Sequence, residues 1–256
     1  EIMSNYEYDA LYDELEKLEQ ETGMVLAGSP TVTVGYEAVD ELPKEAHEKP
    51  MLSLAKTKYR EELQGWLQDK EGLLSWKLDG LTIVLTYENG ELVNAVTRGN
   101  GEIGEVITNN AKTFVNIPKN IPYKGKLILR GEAVIKYSDF NRINDSIEAV
   151  EDKYKNPRNL CSGSVRQLNN EITAKRNVHF YAFSLVADVL DDAQMKETGY
   201  DNSMTGRFNW LVNQGFDVVE HFIVTKETIE HQVMNFAERI QDYDIPSDGL
   251  VLSYND

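Results

Sequence analysis

The 256-residue sequence predicts an α+β fold of mainly antiparallel sheets flanked by helices. Three observations carry that expectation. Short β-rich runs are separated by helices of unequal length, without the regular strand–helix–strand alternation of a parallel sheet. Asn89-Gly90 stands between two such runs, and Asn-Gly is the strongest short hairpin signal. Hydrophobic residues make up 41% and charged residues 27%, so the chain can form a core and is not disordered throughout.

From the N-terminus, Tyr8, Leu11, Tyr12, Leu15 and Leu18 recur at three- and four-residue spacing and predict a helix from about Asn5 to Glu21. Gly23 and Gly28-Ser29-Pro30 end it, and the aperiodic stretch from Thr31 to Pro50 reads as a linker to a second domain. A helix at about Tyr59 to Gln68 precedes a strand, Leu73 to Lys77. Leu81 to Tyr87 and Leu92 to Thr97 form the predicted hairpin. Further strands are expected at Lys126 to Ile135, Val178 to Val186 and Leu250 to Tyr254. Helices are expected from near Ser138-Asp139, at about Thr205 to Gln214, and at about Thr225 to Gln241. No repeat or low-complexity tract interrupts the pattern.

Composition excludes several classes of function. No apolar run reaches the ~18 residues of a membrane span. The first residues lack the basic and apolar regions of a signal peptide. Cys161 is the only cysteine, which rules out an internal disulfide or a cysteine-built metal site. These features predict a cytoplasmic protein, taken as a monomer. The net charge is −17, from 26 basic and 43 acidic residues. Grip on nucleic acid comes mostly from neutralising phosphates, so this chain is expected to bind DNA weakly by itself. A local basic groove inside the acidic shell stays open as an alternative.

Lys77-Leu78-Asp79-Gly80 is the segment with the most chemistry in it. An amine nucleophile must lose its proton, through burial, cationic neighbours or a base. Asp79 alternates onto the side of Lys77 in an extended chain, where it could hold the ammonium or a ribose hydroxyl. Gly80 lets the backbone turn closely beneath a ligand. On its own the segment is a weak signal, and a lysine beside an aspartate is more often a solvated ion pair. Arg98, Arg158 and Arg166 stand in Gly- or Asn-rich stretches that read as turns suited to bidentate phosphate contacts, with surface ion pairing as the rival reading. Glu132 suits a ribose hydroxyl or a magnesium-bound water, or else pairs with Arg130. Asp248 beside Gly249 offers a carboxylate where backbone can approach a ligand, or is an ordinary turn residue.

The ordered set of segments around Lys77 is more specific than any one of them. His47-Glu48-Lys49-Pro50-Met51-Leu52-Ser53-Leu54, Thr97-Arg98-Gly99-Asn100-Gly101-Glu102-Ile103-Gly104-Glu105 and Leu129-Arg130-Gly131-Glu132-Ala133 come first. Asn156-Pro157-Arg158-Asn159, Gly163-Ser164-Val165-Arg166-Gln167-Leu168 and Ser247-Asp248-Gly249-Leu250-Val251 follow. In order and approximate spacing the chain resembles the bacterial NAD-dependent DNA ligases, within the covalent nucleotidyltransferases. The resemblance implies an ATP-grasp-like nucleotidyltransferase domain at residues 38–256, with part of a small helical domain at residues 1–37. It implies that Lys77 takes AMP from NAD, with Mg2+, and that the intact enzyme passes the AMP to nicked DNA. Asp79, Arg98 and Glu132 would share the catalytic work. Ser53, Leu54, Ser75, Arg158, Arg166, Phe183 and Asp248 would join them around the nucleotide. Phe183 stands where the family has an adenine-stacking tyrosine; read alone, it would be a core residue. Tyr8 and Asp9 match the helix that binds the nicotinamide mononucleotide half of NAD, although ordinary packing explains them equally well.

Departures from the family pattern are also legible. Asn5 stands where an aspartate is usual, Ser75 where a glutamate is, and Asn100 where an aspartate is. Ser253 occupies the place of a lysine that contacts the α-phosphate, so a hydrogen bond replaces a charge. The family's upstream aromatic pair and last catalytic lysine lie outside these 256 residues. So do the oligonucleotide-binding, zinc, helix-hairpin-helix and terminal domains expected of a full ligase.

Overall fold

The computed structural model describes residues 5–22, 42–186 and 201–256. The Gly23 and Gly28-Ser29-Pro30 stop signals, most of the expected linker and the expected boundary at residue 37 lie outside those residues, as do the side chains of Tyr8 and Asp9. Helix α1, Asn5–Thr22, agrees with the apolar spacing that predicted it.

Two antiparallel sheets organise the rest. In the larger, β3 (Leu81–Glu88) lies between β4 (Glu91–Thr97) and β6 (Leu127–Val134), and β7 (His179–Leu185) adds to the far side of β6. Asn89 and Gly90 close the β3–β4 hairpin with φ of 51° and 83°, the left-handed pair that a tight hairpin turn demands. Period-2 alternation then sorts the side chains. Ile83, Leu85, Tyr87, Leu127, Leu129 and Ala133 enter a core with Ile143 of α4 (Tyr137–Asp145) and Leu160, Cys161 and Val165 of α5 (Pro157–Val165). The opposite face carries Thr82 beside Glu132 and Val84 beside Arg130.

In the smaller sheet β2 (Gly72–Leu78) runs between β8 (His221–Val224) and β9 (Ser247–Tyr254), antiparallel to both. Leu74 and Trp76 pack with Leu67 of α2 (Glu61–Leu67) and with Ile229 and Phe236 of the helix Ile229–Arg239 in a second core. Trp76 is locked there: its ring lies edge-on to Phe236 at 4.5 Å and stacks on Tyr243 at 4.6 Å, and its Nε1 donates to Glu220 at 2.8 Å. The helix Met204–Asn213 serves both cores, giving Trp210 and Leu211 to one and Phe208 to the other.

The chain passes from the smaller sheet to the larger through Asp79 and Gly80 alone. Strand β2 breaks register between Lys77 and Leu78, and Asp79 N–H donates to the Pro246 carbonyl at 2.9 Å. Gly80 is demanded here by space: a Cβ would sit 1.9 Å from the Ala133 carbonyl oxygen. The segment singled out in the sequence is therefore the crossing point between two sheets.

Several elements differ from the sequence expectation. Within the stretch read as linker, Lys44–Ala46 forms strand β1, paired with β5 (Ile103–Glu105). Three-residue strands are too short to show alternation, and only their pairing defines them. Strand β8 and the short helices Thr108–Ala111, Pro157–Val165 and Asn170–Ala174 were not anticipated either. Asn156 and Asn169 do cap the last two, accepting from Asn159 N–H and Glu171 N–H. The helix expected from Thr225 begins at Ile229.

Candidate active site

Lys77 stands at the end of β2, opposite Gly249. Its Nζ donates to Oδ1 and Oδ2 of Asp248 at 2.9 and 3.1 Å, with the two side chains 46% and 39% exposed. Asp248, rather than Asp79, thus holds the ammonium. Alternation placed Asp79 beside Lys77, but the register shift after Lys77 ends the extended geometry that the argument assumed. Asp79 lies instead 3.4 Å from Nη1 of Arg158.

Glu132 on β6 has the opposite environment. It is buried, with Oε1 accepting from Gly80 N–H at 3.1 Å and Oε2 from the Thr82 hydroxyl at 2.7 Å. Burial pushes its carboxyl up to about 7, while the Thr82 and Gly80 hydrogen bonds and the Arg158 charge pull the other way. Arg130 is not its partner: Nη2 of Arg130 donates to the Lys49 and Pro50 carbonyls at 2.9 and 3.5 Å.

The arginines divide into separate settings. Arg98 follows β4 and opens a turn in which Gly99 and Gly101 have φ of 58° and 94°, as its glycines suggested. Its backbone N–H donates to the Thr82 carbonyl, and Nη2 reaches the Met51 carbonyl at 3.4 Å. Arg158 and Arg166 lie not in turns but at the two ends of helix α5. Arg166 is bound through Nε and Nη2 to Glu105 at 2.8 and 3.3 Å, and the Glu105 side chain is fully buried. An ion pair in that setting ties α5 to β5.

Ser75 is buried in β2, between His221 and Val251. Phe183, half-buried on β7, packs against the core of the smaller sheet, so it spans the space between the two sheets. Leu54 is 62% exposed and Ser53 is exposed, so the described residues form no apolar enclosure around them. Ser253 pairs with Leu73 and lies on the face of Lys77 and Ser75, a diagonal neighbour of the latter. The sequence reading missed Thr82. Its signal was present, a hydroxyl residue two positions after Gly80 among the apolar Leu81, Ile83, Val84 and Leu85.

Lys77 with Asp248, Arg158 with Asp79, and the buried Glu132 thus gather around the crossing point between the two sheets. The chain belongs to the NAD-dependent DNA ligase adenylation domain family, whose model it matches over residues 39–256. It is 64% identical over 256 residues to the DNA ligase of Lachnoclostridium phytofermentans, covering 100% of this chain and 38% of that protein. The DNA ligase of Ruminiclostridium cellulolyticum is 61% identical over the same 256 residues, again 100% and 38%. That of Helicobacter pylori strain J99 is 35% identical over 262 residues, covering 98% and 39%. The chain therefore spans about two fifths of these relatives' length. Among solved structures, an archaeal ATP-dependent RNA ligase aligns with 81% of this chain and 46% of its own at 14% identity, with a TM-score of 0.47. No described helix is long and apolar enough to cross a membrane.

Proposed function

We propose that this chain attaches AMP covalently to Lys77, using NAD as donor, as the first step of DNA ligation by a longer protein. The observation that carries the reading is the poise of Lys77: it stands at the end of a strand whose preceding tryptophan is locked in a core, its side chain is half-exposed, and one carboxylate grips its Nζ. The Nζ lone pair attacks the α-phosphorus, the N–P bond forms, and the P–O bond to nicotinamide mononucleotide breaks. Two protons leave the ammonium, one to Asp248 or water before the attack and the second to water as the N–P bond forms, and the leaving group departs as an anion. In the whole protein the AMP would pass to a DNA 5′-phosphate, and the 3′-hydroxyl at the nick would then displace it.

Glu132 would accept a ribose hydroxyl on the oxygen lone pairs that Gly80 and Thr82 leave free. Arg98, Arg158 and Asp79 would orient the phosphates, and Phe183 would offer a ring face to adenine. Ser53, Leu54, Ser75 and Arg166 would complete the nucleotide surroundings, and Tyr8 and Asp9 would meet the nicotinamide mononucleotide half. No group of three metal-ligating side chains is found among the described residues. Mg2+ would therefore be held by ligand phosphates and water, with Glu132 within reach through a water, and would supply charge neutralisation. The domain division at residues 37 and 38, the cytoplasmic location and the monomeric state belong to the same proposal.

Incubating the protein with NAD and Mg2+ and weighing it intact tests the reading. One added AMP is expected on the parent chain and none on Lys77→Ala; a labelled Lys77→Ala would sink it. Ser75 and Ser253 favour one rival, a module that binds nucleotide without a covalent adduct. Tight AMP binding with no adduct, from either NAD or ATP, would select that rival.

A further inference from the structure

The face of the larger sheet that bears Glu132 is crossed by one polar row. Arg98, Thr82 and Glu132 lie side by side, joined by the Arg98 N–H to the Thr82 carbonyl and by the Thr82 hydroxyl to Glu132. Among the described residues, the Glu132 carboxylate takes its side-chain hydrogen bond from Thr82 and its other from the Gly80 backbone. A carboxylate on a strand can rotate about its terminal torsion, which is broad and poorly determined. Two donors on two different oxygens stop that rotation. They also fix which lone pairs remain for a ligand.

We infer that Thr82 is a positioning residue: through Glu132, its hydroxyl sets how strongly the chain distinguishes a nucleotide with a full ribose from one lacking a ribose hydroxyl. The inference rests on the reading of Glu132 as the acceptor of that hydroxyl. Without the Thr82 donor, Oε2 keeps no fixed direction and the buried carboxyl takes up a proton more easily, as its upward-shifted titration indicates. A protonated, freely turning carboxyl would offer a donor as readily as an acceptor. The hydroxyl of the nucleotide would then count for little.

Affinities for AMP, 2′-deoxy-AMP and 3′-deoxy-AMP, measured calorimetrically on the parent chain, Thr82→Val and Thr82→Ser, test this. The parent chain is expected to prefer AMP over one of the two deoxy forms by roughly tenfold or more, one hydrogen bond to a charged acceptor. Thr82→Val should bring that ratio to about 1–3, and Thr82→Ser, which keeps the hydroxyl, should preserve it. A purely structural role would weaken all three nucleotides alike and leave the ratio intact in Thr82→Val; that result would overturn the inference while leaving Glu132's role standing. A parent chain that binds AMP but ignores both missing hydroxyls would instead remove the Glu132 reading, and the inference with it. Should Thr82→Val fail to show a cooperative melt, Thr82→Ala carries the same comparison.

Discussion

On the larger sheet Glu132 is buried with both carboxylate oxygens taken by neutral donors, whereas on the smaller sheet Lys77 and Asp248 face each other with 46% and 39% of their side chains exposed. The two sheets therefore contribute opposite things to one site. The first holds its group rigidly and bears the cost of keeping a charge from water, which shows as a carboxyl titrating near 7. The second keeps a solvated ion pair that can open at small cost, which suits the covalent role proposed for Lys77. A binding group gains from preorganisation, and a nucleophile must be released when its substrate arrives.

The comparison is broken most severely at the crossing point. Gly80→Ala would drive a methyl to 1.9 Å from the Ala133 carbonyl oxygen. The turn and the Gly80–Glu132 hydrogen bond would be displaced together. Thermal or denaturant unfolding should show a loss of about 3–5 kcal/mol, with little AMP attachment remaining.

Glu132→Gln should sharpen the contrast through pH. The folded carboxyl titrates near 7, above its ordinary 4.5, so between those values the native state holds a proton that the unfolded chain has lost. Stability of the parent chain should therefore fall as pH rises from about 4.5 to about 7. Glutamine carries no such charge, and its amide can still accept from Gly80 while donating to a reoriented Thr82 hydroxyl. The variant should overtake the parent by on the order of 3 kcal/mol above neutral pH, and a difference flat across that window would refute the account. AMP attachment should nevertheless fall, since a neutral acceptor is weaker.

A smaller effect is expected on the smaller sheet. Ser75 and Ser253 are diagonal neighbours across β2 and β9, at the two places where the resemblance read in the sequence implies a glutamate and a lysine. A serine at both places leaves the net charge of the face as that pair would have it, but without a cation for the phosphate that the proposed function puts there. Ser253→Lys should raise the rate of AMP attachment about tenfold, a little more when combined with Ser75→Glu. Mass-spectrometric labelling over time reads both. Arg158→Gln should disturb stability least, by under about 1 kcal/mol, because its pair with Asp79 spans 3.4 Å and is 52% and 26% exposed.

Legibility in the sequence followed the length of each signal. The hairpin, the long strands and the amphipathic helices were readable because periodicity accumulates over seven or more residues. Strands β1 and β5, three residues each, carry no period and exist only because each pairs with the other. At the site, Lys77, Asp248 and Glu132 could be named from their neighbours in the chain. Their partners could not, and Asp79 shows why: alternation holds while a strand stays extended, and the strand breaks register just before that residue.

By itself the sequence determined the fold class, the hairpin and the set of segments that mark the family. The tertiary structure decided that Asp248, 171 residues away, grips Lys77, that Arg158 turns to Asp79 and Arg166 to Glu105, and that Thr82 steadies Glu132. The physical reason is one of range. Propensity, turn chemistry and periodicity act between residues a few positions apart, whereas the burial and direction of a charged group depend on strands and helices that only the packed chain brings together.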